Sequence, residues 1–246
     1  MIDRYIEKLD LKFDIRKIQD HVRDVILPLK PNRPLPTWGG WGIWTATGNW
    51  RHGFEQNGSV FLSGYVKDGQ TLDEKSIGVA ERAATARPAR AHIHPTELCT
   101  GYLQGCIERI REIGLNPCRV RVSSLIGHGS TTWHRDIDVH HYLVRLHIPV
   151  FTNPSAMFQV RDEDTGEELE THLPADGSAY AVATNFAHRI YNNSEEERIH
   201  IFMDITDTSG VTKHHSTEGF RQWCTARGLE AQFRPLPDYN SHKERQ

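Results

Sequence analysis

The sequence has 246 residues, 37% of them hydrophobic and 25% charged, with a formal net charge of −3. That length and apolar content suit one globular domain, and all-β barrels and sandwiches often reach this size undivided. The balanced charge argues against nucleic acid or an anionic membrane as the main partner, and no apolar run reaches the length of a transmembrane helix.

The N-terminus, Met1-Ile2-Asp3-Arg4-Tyr5-Ile6-Glu7, is too polar and acidic for a signal peptide, so a cytoplasmic location is expected. Cys99, Cys106, Cys118 and Cys224 form no CxxC pair, and free thiols are a simpler account than disulfides or a zinc site. Ile15, Ile18, Val22, Val25 and Ile26 recur at helical spacing over 15–27, and Pro28 ends the pattern. Trp38, Trp41, Trp44 and Trp50 crowd the following Pro- and Gly-rich stretch. Large side chains pinning an irregular segment onto a sheet are the favoured reading there, with an aromatic wall around a ligand as the alternative. Residues 59–66 read as a strand ending in a turn at Asp68-Gly69, and helices are expected near 71–84 and 96–113, the second stopping at Gly114.

Beyond Cys118 the texture changes to short strands, at 118–126, 143–151, 156–161, 178–184 and 198–205. Such spacing predicts a mainly β fold, an antiparallel sandwich or barrel of the jelly-roll kind. A last helix is expected over 216–228, followed by a polar tail. The chain is thus divided into a helical and Trp-rich part at 1–115, a β core at 118–206 and a C-terminal part at 207–246, all within one domain.

Fifteen histidines carry most of the chemistry. His134 and Asp136 are two apart, so on an extended segment both side chains point the same way. His188 supplies a third donor just past a predicted strand. Two histidines and one carboxylate make the facial triad of non-haem iron(II) oxygenases, which leaves positions open for co-substrate and dioxygen. Arg198, His200, Phe202 and Asp204 share one face of their strand, opposite Ile199, Ile201 and Met203. Arg145 and His147 repeat that pattern opposite Val144, Leu146 and Ile148. Buried arginines need an anion, so an anionic ligand inside the barrel is expected. Arg145 would meet either a substrate anion or an internal acid such as Asp204.

Trp133-His134-Arg135-Asp136, Arg145-Leu146-His147-Ile148-Pro149, Thr152-Asn153, His188 and Arg198-Ile199-His200 together resemble the aspartyl/asparaginyl β-hydroxylase family, over roughly residues 118–206. That family belongs to the 2-oxoglutarate-dependent dioxygenases of double-stranded β-helix fold, and the motifs are also similar to those of the proline cis-hydroxylases. The resemblance implies a double-stranded β-helix with packed N-terminal helices, iron(II), 2-oxoglutarate and dioxygen, with ascorbate as an auxiliary reductant. It implies iron ligands His134, Asp136 and His188, and Arg198 on the distal carboxylate of 2-oxoglutarate. His147 would help hold the iron-side carboxylate, with Ser123 or Ser124 a weaker candidate nearby. Arg145 would face the co-substrate or a substrate carboxylate, with His140 and His141 in a loop over the site. Some relatives replace the carboxylate ligand with glycine; Asp136 is kept here, which points toward small-molecule hydroxylases and argues against halogenation.

Three functions stay open at this point. They are a hydroxylase of an amino acid or related carboxylated small molecule, a hydroxylase of Asp, Asn or other side chains in a protein or peptide, and a cupin-like metal domain that does not use 2-oxoglutarate. Arg198 speaks against the third, and the lack of a visible peptide-recognition repeat favours the first over the second. Of the other histidines, His92 and His94 read as structural or surface residues, His128 as a loop residue between glycines, and His214-His215 as a surface pair. Oligomeric state is not legible.

Overall fold

The computed structural model describes residues 5–33, 36–54, 59–61, 65–67, 70–72, 91–112, 114–136, 142–162, 165–184, 186–206 and 233–234. Of the helix expected at 71–84, residues 71–72 are extended and the rest lies outside the described residues, as do the helix expected at 216–228, the His214-His215 pair, His140 and His141. In chain order the elements are β1 (Ile6–Lys12), α1 (Ile15–His21), β2 (Trp38–Gly42), β3 (Trp44–Thr45), β4 (Ser59–Phe61), β5 (Tyr65–Lys67), β6 (Gln70–Leu72), β7 (His94–Pro95) and α2 (Gly101–Glu112). Then follow β8 (Pro117–Leu125), β9 (His134–Asp136), β10 (Tyr142–Phe151), β11 (Ala156–Arg161), β12 (Glu168–His172), β13 (Ser178–Val182), β14 (His188–Asn192), β15 (Arg198–Thr206) and β16 (Phe233–Arg234).

Local chemistry starts and stops the helices. The Asp14 carboxylate accepts from the Arg16 and Lys17 amides at 3.1 and 3.3 Å, which caps α1. The pattern read over 15–27 divides into α1 and a π-helical turn, Val22–Ile26. Gly114, at a left-handed φ of 88°, closes the segment after α2 as expected. Leu103, Cys106, Ile107 and Ile110 bury one side of α2.

Among the described residues, seven strands form the larger sheet in the order β16-β1-β13-β10-β15-β8-β2, and five form the smaller in the order β12-β11-β14-β9-β4. Every pairing is antiparallel. From β8 to β15 the chain passes back and forth between the sheets: β8, β10, β13 and β15 go to the larger, β9, β11, β12 and β14 to the smaller. This alternation winds the chain into a double-stranded β-helix, the mainly β fold expected.

The two faces of the larger sheet differ. Val120, Val122, Leu146, Ile148, Val150, Ile199, Ile201, Met203 and Ile205 join one apolar core with residues of α1 and α2. The opposite face turns toward the smaller sheet, where Leu125, Phe158, Val160, Tyr180, Val182 and Ile190 form a second core. Helices cover one side; the inter-sheet side is left for the polar residues.

Among the described residues, β1 and β2 extend the larger sheet on both sides, two strands that were not expected. Their alternation is hidden by charged residues in one case and by glycine and tryptophan in the other. β2 lies against β8, where a Cβ at Gly40 would stand 1.9 Å from the Val122 carbonyl oxygen, so only glycine fits. Trp41 is buried in the helix-side core and donates to the Leu29 carbonyl at 3.0 Å. The tryptophans therefore pin the segment onto the sheet.

Cys99, Cys106 and Cys118 are buried free thiols, and burial pushes the Cys106 thiol up to about 12. No described helix is long and apolar enough to cross a membrane.

Candidate active site

His134 on β9 lies directly opposite His188, the first residue of β14; theirs is the register pair that joins the two strands. The imidazole centroids are 4.3 Å apart. In each ring Nδ1 lies against the backbone carbonyl two residues earlier, Thr132 O at 2.8 Å and Phe186 O at 2.9 Å. A carbonyl accepts, so each Nδ1 carries the proton and the lone pair falls on Nε2. Fixing the tautomer through the distal nitrogen is what a metal-binding imidazole requires of its surroundings. Phe158 adds a parallel stack on the buried His188, 5.4 Å away and inclined by 9°. The Asp136 backbone pairs with Ser59, but its side chain lies outside the described residues. Among those residues no group of three metal-ligating side chains is found. The two imidazoles fit a divalent transition metal by donor type and tautomer.

The polar face of the larger sheet stands opposite. Register places His147 across from Phe202 and Arg145 across from Asp204. His147 stacks on Phe202 at 5.7 Å and meets the edges of Phe158 at 6.1 Å and His200 at 5.9 Å. Ring contacts thus run from the His134 and His188 pair through Phe158 and His147 to His200 and Arg198.

Arg198 is 2% exposed. It donates from Nη2 to His200 Nδ1 at 2.9 Å, and no carboxylate pairs with it among the described residues. Burial lowers its pKa to about 9. Because His200 Nδ1 accepts, the ring proton sits on Nε2. Burial, with the charges of Arg198, His147 and His172 as lesser causes, pushes the His200 pKa well below its ordinary value. A buried cation beside a neutral imidazole has every reason to recruit an anion.

Arg145 is met by the internal acid. Its Nε donates to Asp204 Oδ1 at 2.8 Å, and Asp204 is fully buried, with Arg119 Nη1 3.5 Å from its other oxygen. The argument that Arg145 awaits a substrate anion thereby loses its ground. Removing one member of a buried pair strands the other, so Arg145→Ala is expected to destabilise the fold by about 3–5 kcal/mol. Urea unfolding monitored by tryptophan fluorescence measures this, and a loss below about 1 kcal/mol would show the pair to be dispensable.

Ser124 is a correction. It pairs in register with Ile199, on the face away from Arg198. Its hydroxyl accepts from Arg33 Nη2 at 2.9 Å and bonds the Glu197 carboxylate. Strand alternation sends the neighbouring Ser123 inward instead, where its hydroxyl accepts from Trp38 Nε1 at 2.9 Å.

Several inward residues escaped the sequence reading. Arg121 lies over the rings of Phe54 and Phe202, at 5.0 and 5.5 Å. Arg119 takes a left-handed φ of 47° at a register shift in the β8–β15 ladder. Such a bulge re-aims side chains, here toward Asp204. The alternation of Arg119, Val120, Arg121 and Val122 was a visible signal for both. His172, buried with Nδ1 3.1 Å from the Ala156 carbonyl oxygen, had none. His92 is buried and His94 exposed, so that HxH does not converge. His128 is an exposed loop residue 2.9 Å from Glu195.

Fold and geometry together define a double-stranded β-helix protein with a histidine pair and a buried arginine between its sheets. Residues 99–208 match the family model described as Aspartyl/Asparaginyl beta-hydroxylase, the family that the motifs resemble. No curated protein matches the sequence. Among solved structures, the chain is similar to a Pseudomonas putida prolyl-4-hydroxylase at 12% identity and TM-score 0.42, over 84% of this chain and 94% of that one. It is also similar to a viral collagen prolyl hydroxylase of Paramecium bursaria Chlorella virus-1, solved as a 2OG complex, at 10% identity and TM-score 0.37, over 82% and 96%. A cupin domain of Bordetella pertussis is similar at 20% identity and TM-score 0.27, over 38% and 95%.

Proposed function

We propose that this chain is an iron(II)- and 2-oxoglutarate-dependent dioxygenase that hydroxylates a C–H bond of an amino acid or related carboxylated small molecule. The observation that carries this reading is Arg198, a buried guanidinium with no acidic partner among the described residues, on the face that looks toward the His134 and His188 pair. The match of residues 99–208 to a hydroxylase family supports the class of reaction.

In this reading His134, His188 and Asp136 hold iron(II), and bound iron with 2-oxoglutarate supplies the oxidising power for C–H hydroxylation. The chain's own residues orient and enclose. The Thr132 and Phe186 carbonyls keep both imidazoles in the ligating tautomer. Arg198 grips the distal carboxylate of 2-oxoglutarate with its planar fork. His147, which stacks on Phe202 and meets the edge of Phe158, would help hold the iron-side carboxylate. Phe158 and Ile190 keep water away from that interior.

The test is succinate release with iron(II), ascorbate and 2-oxoglutarate across a panel of free amino acids, their amides and short peptides. Turnover with free amino acids, lost on blocking the carboxylate, is expected. Turnover only with Asp- or Asn-containing peptides would replace the small-molecule reading with a peptide one. Absence of 2-oxoglutarate-dependent turnover with every substrate would remove the dioxygenase reading.

A further inference from the structure

We infer that Trp133, whose ring is met by the guanidinium groups of Arg161 and Arg189 on the outer side of the smaller sheet, is a positioning residue that sets the mutual geometry of His134 and His188 as metal ligands. The inference rests on the metal reading proposed above.

Strand alternation brings the cations together. Arg189 follows His188 within β14, so its side chain leaves the strand on the side opposite that histidine, and Trp133, in the bend just before β9, meets it there. Val160 is the register partner of His188, which puts the next residue, Arg161, on that same outer side. There the Arg161 guanidinium lies 4.6 Å from the indole centroid and that of Arg189 lies 4.9 Å from it. Both cations are tied to one acid. Glu168 stands 3.0 Å from Arg161 and 3.8 Å from Arg189. Arg189 also donates to the Gln159 side-chain oxygen, Gln159 donates to Glu170 at 2.9 Å, and Tyr191 donates to the same Glu170 oxygen at 2.9 Å. The grid spans β14, β11 and β12, with Trp133 at the entry to β9.

The need for such a contact lies between β9 and β14. β9 has three residues and meets β4 through three register pairs, but it meets β14 through one, that of the two histidines. A ladder that short leaves twist and tilt loosely set. Just before it, the Thr131 amide donates to the Ile190 carbonyl at 2.8 Å, and the Ile190 amide donates to the Thr131 hydroxyl at 3.0 Å. These bonds position the chain's entry into β9 without orienting His134. A flat indole, 6% exposed and contacted by two guanidinium groups, fixes the rotation of the backbone from which the imidazole departs. Cation–π contacts orient as well as attract.

The probe is cobalt(II), titrated into the full chain and followed by its ligand-field absorption, with thermal unfolding recorded in parallel. Trp133→Leu removes the indole; the Arg161→Gln/Arg189→Gln double variant removes the cations at partly exposed positions where folding tolerates change; Trp133→Phe keeps a ring. Trp133→Leu and the double variant are expected to weaken cobalt(II) binding by about 10–100-fold, as loss of an outer supporting group does, with an altered spectrum. Trp133→Phe should recover most of the affinity. A fold that stays intact with unchanged cobalt(II) affinity and spectrum overturns the inference, as does a fall in melting temperature alone. If Trp133→Leu does not fold, the double variant decides. Should wild-type protein fail to bind cobalt(II), or His134→Ala and His188→Ala bind it as tightly as wild type, the metal reading itself fails and the positioning role falls with it.

Discussion

Arg198→Ala should raise the 2-oxoglutarate concentration needed for half-maximal turnover by about thirtyfold or more, while the iron(II) requirement changes little. Taking one partner from a buried charge pair costs about 2–5 kcal/mol, which is about thirtyfold to a few thousandfold in affinity. The cost belongs at the upper end, because the site is fully desolvated and His200, with its low pKa, cannot stand in as a cation. The free protein should lose little stability, since Arg198 donates there to a neutral ring and to no acid among the described residues. That separates it from Arg145, whose loss breaks a formed ion pair. Titrating 2-oxoglutarate into protein loaded with manganese(II), which does not turn over, measures the effect directly. Unchanged 2-oxoglutarate affinity would remove Arg198 from the role of anchor.

His188→Ala and Asp136→Ala should each abolish turnover and weaken divalent-metal binding by at least about a hundredfold, with the fold retained. Removing a direct ligand exceeds the 10–100-fold cost of removing an outer partner. The His188 imidazole donates to a carbonyl within its own turn, and alanine keeps the backbone pairing of the strand that His188 opens. Circular dichroism checks the fold, and a metal titration checks the site. Metal retained at full affinity in both variants would place the centre elsewhere.

How much of this was legible before the structure depended on whether a residue's partner was local. Strands β8, β10, β11, β13 and β15 announced themselves through alternation, because each buries an apolar face against a continuous core. Alternation also sorted Arg198, His147 and Arg145 onto the interior face correctly. It would have sorted Ser123 from Ser124 too, had the face of Arg198 been carried across the ladder. β1 and β2 were not legible, since IEKLDLK alternates with charges and WGGWG is mostly glycine. The Arg145–Asp204 pair was foreseen only as an alternative, because whether a buried cation is met from within or by a ligand depends on register, which one sequence does not display. Alternation with Val120 and Val122 could have placed Arg119 and Arg121 inward, but the pairing of Arg119 with Asp204 depends on a bulge, which leaves no compositional trace at a non-glycine residue.

The pairing of β1 with β13 places residues 6–8 beside residues 180–182 in the larger sheet. During synthesis β1 leaves the ribosome long before β13, which is made only after most of the other described strands. Until then the β1 backbone groups have no ladder to join and β13 has an open edge, the situation in which strands pair with the wrong chain. Closure therefore waits on contacts very distant in sequence, which makes for slow folding. The charged residues that hid β1 from pattern reading, Glu7, Lys8, Asp10 and Lys12, are of the kind that keep a waiting strand from aggregating.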